Sequence, residues 1–276
     1  MTFCIAQISD THLSRERPFF AGNFARVVAH LLAQRPDLVI NSGDMALDGL
    51  GRESDLAEAR SLHDAIGLPC RFIPGNHDVG ENQDAPPHPA LVPITHERRE
   101  RYLKHFGDDF WQLDVPGWRV IAMNAQLLGS DLIDAAEQVE FLRDAVDGSE
   151  DRRIALFVHK PLFHASPDEE AVGGRFINPA PRRQLLDIFK AKPPALVCSG
   201  HVHQYFSNRA PDTHHVWAPS TGFILPDARQ PTYGLKQVGY VEHRLEADGT
   251  HASRLVEVPD LPTLSIADFP QAYGVI

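Results

Sequence analysis

Five short apolar runs in this 276-residue chain stop in the same way. Phe3–Ile8 leads to Asp10-Thr11-His12, Leu38–Ile40 to Asn41-Ser42-Gly43-Asp44, and Arg71–Ile73 to Pro74-Gly75-Asn76-His77-Asp78. Ile154–Val158 leads to His159-Lys160-Pro161, and Ala195–Cys198 to Gly200-His201-Val202-His203. Runs of this length, rich in β-branched residues and separated by amphipathic stretches, read as strands alternating with helices. In such α/β folds ligands gather at the carboxyl ends of the strands, so groups distant in sequence share one pocket. Glycine stands shortly before the polar residues at 43, 75 and 200, which suits a tight exit close to a site. His201 and His203 lie two apart, so in extended backbone both rings point the same way and can reach one centre.

The helices between these runs follow from spacing. Phe24, Val27, Val28, Leu31 and Leu32 fall at i, i+3, i+4, i+7 and i+8, and Arg35-Pro36 ends that pattern. Weaker helical patterns cover Glu53–Ile66, Thr95–Phe106, Ala135–Val146 and Arg182–Ala191. A sixth apolar run, Val120–Met123, has no ligand at its end, and a hairpin is expected from Tyr240–Glu246 and Ser253–Val258 around Asp248-Gly249. With 43% hydrophobic residues the chain can bury a large α/β core. One domain over residues 1–258 is expected, with loop insertions at about 80–95 and 164–181 that reach over a site. Residues 259–276 read as a tail laid on the surface or against a neighbour.

Composition limits the partners. A formal net charge of −11 excludes a surface built for nucleic acid or anionic lipid, so any anion must be recognised locally. The three cysteines, Cys4, Cys70 and Cys198, sit in apolar runs and read as reduced core residues. With no leader-like start and no span long enough for a bilayer, a cytoplasmic protein is expected, and a homo-oligomer is left open.

Carboxylate, imidazole and amide oxygen without thiolate suit Mn, Fe or Zn rather than a structural cysteine site. The order D-x-H, G-D, G-N-H-D, a lone H, then G-H-x-H resembles the calcineurin-like metallophosphoesterase superfamily, and the likeness runs from Asp10 to His203. The resemblance implies a four-layer αββα sandwich with two metal ions at the strand ends and a bridging hydroxide as nucleophile. It implies that Asp10, His12 and His203 hold one metal, that Asn76, His159 and His201 hold the other, and that Asp44 bridges both. A bridging residue must offer two oxygens, and Asp44 can. His77 is then not a ligand but sits over the phosphate, where it can donate a proton to the leaving oxygen. Asp78 reads either as support for the ligands or as a plain turn carboxylate.

Within the superfamily the chain is most similar to the bacterial cyclic-nucleotide and glycerophosphodiester phosphodiesterases, which implies hydrolysis of small phosphodiesters. His159-Lys160-Pro161 stands where those enzymes usually carry H-H-P, and Asn124-Ala125-Gln126 where a D-S pair is common. These departures look more like a branch containing protein and small-molecule phosphatases, so a phosphomonoesterase is the alternative. A monoester's extra charge needs its own cation. Arg15, Arg17, Lys160 and Arg175 are near enough in sequence to be considered for it. Amidohydrolases also use His-x-His, but on the first strand of a (β/α)8 barrel, whereas here the pair comes on the last ligand-bearing run.

Overall fold

Strand β1 (Thr2–Ile8) alternates its side chains between two cores, Ile5 on one face and Ala6 and Ile8 on the other. It pairs in parallel with β2 (Leu38–Asn41), which pairs in parallel with β3 (Cys70–Phe72). The computed structural model describes residues 1–82, 92–170, 174–210 and 212–272. On the other side of β1 the expected hairpin forms from β10 (Tyr240–Glu246) and β11 (His251–Val256), with Thr2 opposite Glu246. The first sheet therefore has the order β11-β10-β1-β2-β3.

The second sheet runs β4-β5-β6-β7-β9-β8. Its parallel centre is β5 (Trp118–Met123), β6 (Arg153–Val158), β7 (Leu196–Ser199) and β9 (His214–Trp217), edged by antiparallel β4 (Trp111–Val115) and β8 (Phe206–Arg209). The two sheets face each other across one core, in which Ile5, Leu38 and Ile40 meet Val120, Ala155, Phe157 and Cys198. Helices cover both outer faces. Phe24, Val27 and Leu31 of α1 (Ala21–Gln34), with α2 (Glu53–Asp64) and α4 (His96–Phe106), pack on Ala6, Ile8 and Val39. Leu142 and Ala145 of α5 (Ile133–Asp147) and Leu185 of α6 (Pro179–Ile188) pack on Ile121, Leu156 and Val158. This is the four-layer αββα order.

Some details depart from expectation. Helix α6 starts at Pro179, inside the segment read as loop, because proline has no N–H to lose at the first helical position. Asn76–Val79, read as a turn, forms a one-turn helix, α3. Cys4 and Cys70 are only half-buried, and Cys198 alone of the three is fully in the core. Most of the first loop insertion, residues 83–91, lies outside the described residues, as do 171–173 of the second and the last four of the tail. Among the described residues no helix is long and apolar enough to cross a membrane.

Candidate metal centre

The parallel strands β1, β2, β3, β6 and β7 deliver their exits to one place. Asp10, His12 and His203 have ligand atoms within 4.8 Å of one another, and so do Asp44, His159 and His201. Asn76 joins the second group, its Oδ1 lying 3.4 Å from His159 Nε2. Seven residues expected as ligands from sequence are thus neighbours. The eighth, His77, also lies here, its ring edge-on to His12 at 4.8 Å between centroids. His12, Asp44 and His77 form a third close set, so geometry alone does not separate His77 from the ligands; that separation rests on the resemblance.

Tight backbone makes this convergence possible. A Cβ on Gly43 would strike the His159 ring, and one on Gly75 would strike the Asp44 carboxylate. Among the described residues eight non-glycine positions have positive φ, and Asp10, His12, Asp44, His201 and His203 are five of them. Such conformations cost about 1–3 kcal/mol each and persist where the surroundings over-determine them. Here the surroundings are backbone ties: Asp10 N–H donates to Gly43 O (2.9 Å) and His12 N–H to Asp44 O (3.0 Å).

Carbonyls fix the imidazoles. His159 Nδ1–H donates to Ser42 O (2.8 Å), His203 Nδ1–H to Phe223 O (2.9 Å) and His77 Nδ1–H to Leu47 O (3.2 Å). A neutral ring so held presents Nε2 as an acceptor. His201 is held the other way, Nε2–H on Gly174 O (3.1 Å), which leaves Nδ1 as its acceptor. The carboxylates are anchored by amides: Asp10 Oδ2 accepts from His201 N–H (2.9 Å) and Asp44 Oδ1 from His77 N–H (2.8 Å). A bridge through two oxygens is the sequence expectation for Asp44. In the structure Oδ2 lies 3.9 Å from His12 Nε2 and 3.4 Å from His159 Nε2, while Oδ1 accepts from the His77 amide.

The donor set fits a cation. His203, whose Nδ1–H is on Phe223 O, presents Nε2 as an acceptor 3.2 Å from Asp10 Oδ1, a buried oxygen with no hydrogen-bond donor. Acceptors facing acceptors at this range repel unless positive charge lies among them. Burial, followed by the neighbouring His77, holds His12 well below the usual histidine range. Burial likewise works against charge on His159, yet Asp44 beside it raises it to about 9. Burial would lift Asp44, but His159 and His77 hold it well below the usual carboxylate range. The second group can thus balance its carboxylate with a proton, which a metal would displace.

Asp78 resolves as a support rather than a turn carboxylate. It is buried and accepts from the N–H groups of Met45 (3.2 Å), Ala46 (2.9 Å) and Gly75 (2.9 Å), clamping the turn after Asp44 to the turn before Asn76. Burial and then Asp44 raise its carboxyl to about 7. Lys160 is also buried, its ammonium on Glu81 and on Asn82 Oδ1 (2.9 Å). Gln126, with its amide turned to satisfy both ends, donates to Glu81 (3.0 Å) and Asn82 (2.9 Å) and accepts from Asn76 N–H (3.3 Å). Phe223, missed in the sequence, supplies a carbonyl to His203 and a ring against His12 and His203 at 4.9 and 4.6 Å. Only its apolar type is visible in the sequence; a carbonyl carries no residue identity.

Residues 4–205 match the calcineurin-like phosphoesterase family. A Synechococcus protein named "probable cyclic nucleotide phosphodiesterase" is 26% identical over 263 residues, covering 92% of both chains. The serine/threonine-protein phosphatase CPPED1 of Danio rerio is 26% identical over 227 residues, covering 78% of this chain and 68% of its own. The fold is also that of a dimetal phosphatase from Danio rerio, with a TM-score of 0.61 at 12% identity over 92% of this chain and 97% of that one. With the match spanning most of the chain and the metal-ligand types converging at its strand ends, this protein belongs to the calcineurin-like phosphoesterase family, as a metal-dependent hydrolase of phosphoric esters.

Proposed function

We propose that the enzyme hydrolyses small phosphodiesters with a dinuclear centre, using Asp10, His12 and His203 for one ion, Asn76, His159 and His201 for the other, and Asp44 between them. Mn, Fe or Zn suits these donors. Such a pair of ions, when bound, lowers the pKa of a water and neutralises phosphate charge. The remaining work falls to the protein. His77, its Nδ1–H tied to Leu47 O, is oriented so that in its imidazolium form it donates the Nε2 proton to the leaving oxygen. Amide Asn76 in place of a carboxylate leaves the site more positive for an anionic substrate. The three free thiols fit the cytoplasm as the compartment.

One observation carries the preference for diesters: each cation near the motifs is engaged elsewhere. Lys160 is buried on Glu81, Arg15 pairs with Glu58 (2.9 Å), Arg17 with Asp48 (3.1 Å), and Arg175 donates to Arg229 O (3.0 Å). The extra charge of a monoester therefore lacks a side-chain partner among them. The 26% identity to a protein phosphatase supports monoester hydrolysis as a second reading. The two are separated by kcat/KM on bis(p-nitrophenyl) phosphate, p-nitrophenyl phosphate and 3′,5′-cyclic AMP with one Mn²⁺-loaded preparation. The diester is expected to be favoured; a clear preference for the monoester overturns the reading.

A further inference from the structure

We propose that the C-terminal segment 262–272 is a positioning strap for the Asp10, His12 and His203 half of the centre; the inference rests on the assignment of those residues as one ion's ligands. Their backbone is strained, and the acceptors His203 Nε2 and Asp10 Oδ1 face each other at 3.2 Å, so the geometry needs outside support.

The support is layered. Residues 220–224 lie along the first ligand turn: Thr221 N–H donates to Ser9 O (2.9 Å), and Ser220 Oγ–H donates to Asp10 O (2.8 Å). The same stretch gives Phe223 O to His203 and the Phe223 ring to both imidazoles. The strap lies against its other side. Ile224 N–H donates to Leu264 O (2.8 Å) and Ile266 N–H to Ile224 O (3.1 Å), one rung of parallel pairing between Ile224 and Ser265.

Side chains repeat this order. Phe269 packs on Phe20 at 5.5 Å, Phe20 on Phe223 at 4.5 Å, and Phe223 on the two histidines. At the end of the strap Arg17 NH1 donates to Ala272 O (2.7 Å), and at its start Asn23 Nδ2 donates to Pro262 O (3.1 Å). Both donors come from the chain just after the first ligand motif, so the strap is tied to that region directly and to His203 through the Phe223 stretch. The His159 and His201 rings receive their carbonyls from Ser42 and Gly174, outside this stack. The strap therefore biases one ion's ligands and not the other's.

The test is Phe269→Ala with Phe269→Leu as the conservative rescue, each prepared metal-free and titrated with Co²⁺ by equilibrium dialysis. Proton NMR of the paramagnetically shifted imidazole N–H signals identifies which histidines accompany each equivalent. Roughly tenfold weaker binding is expected for the equivalent that shifts His12 and His203, with the other unchanged and affinity largely restored by leucine. Wild-type affinity for both equivalents in the alanine variant overturns the proposal. So does equal weakening of both in step with a lower Tm, or weakening confined to the His159 and His201 equivalent. If the wild type takes up one equivalent only, the dinuclear reading fails. The strap then stands on a weaker single equivalent in the alanine variant, and falls on an unchanged one.

Discussion

The two halves of the proposed centre are made from similar residues but held by different forces. Asp10, His12 and His203 are backed by aromatic packing through Phe223, Phe20 and Phe269. Asn76 and His159 are backed by charge: Lys160 follows His159 directly, and its ammonium on Glu81 and Asn82 is linked through Gln126 to Asn76 N–H. Packing is non-directional and yields gradually as atoms are removed. A buried ion pair is all-or-none, because loss of one partner strands the other in low dielectric. Similar ligand geometry is thus reached by one support that degrades and one that breaks.

Asp44 is common to two of the candidate ligand groups, and its removal should give the largest effect. Asp44→Ala is expected to lower turnover by more than about 10⁴-fold and to reduce metal content, with the far-UV spectrum unchanged. Two bound metals by elemental analysis with near-normal turnover would dismiss the shared role. His77→Ala touches neither support, so both metals should stay while kcat falls roughly 10²–10⁴-fold. The fall should be steeper for an alkyl ester than for a nitrophenyl ester, since a poor leaving group needs the proton more. An unchanged ratio would remove His77 as the proton donor.

Lys160→Met breaks the charged support alone. About 3–5 kcal/mol of stability should be lost in a denaturant titration, since Glu81 is left buried without its counter-ion. Lys160→Met combined with Glu81→Leu should recover much of it, and a single variant as stable as wild type would show the pair to be dispensable. The smallest effect concerns His63, which lies under Asn41 on the ligand sheet. Its Nδ1–H donates to Ala59 O (2.7 Å), its Nε2 accepts from Asn41 Nδ2 (2.9 Å), and burial lowers it to about 4. The unfolded chain takes up this proton near pH 6.5 and the folded one only near 4. This group's contribution is therefore complete above pH 6.5 and lost as pH falls toward 4, at up to about 1.4 kcal/mol per pH unit. His63→Leu should flatten that part of the stability profile; an unaltered slope would exclude the group.

The parts legible in the sequence are those in which residue type and position coincide. β-branched runs marked the strands that converge, and Asp, His and Asn at their ends marked the side chains that cluster there. Strands β4, β8 and β9 were not expected as elements. β8 is largely exposed and has no apolar alternation, and β4 alternates over only five residues. Lys160 could not be oriented from sequence, since alternation has no force once the strand stops at Val158. The carbonyls of Ser42, Leu47, Gly174 and Phe223 left no trace, because any residue type can present them.

The pairing of β1 with β10 joins Thr2 to Glu246, 244 residues apart in the chain. Synthesis runs from the amino end, so the strand leading to Asp10 leaves the ribosome long before its antiparallel partner exists. Until then one edge of β1 is open, and closing it carries the slow kinetics of a long-range contact. The strand that leads into Asp10 is therefore fully enclosed only after Tyr240–Glu246 has been made and paired with it.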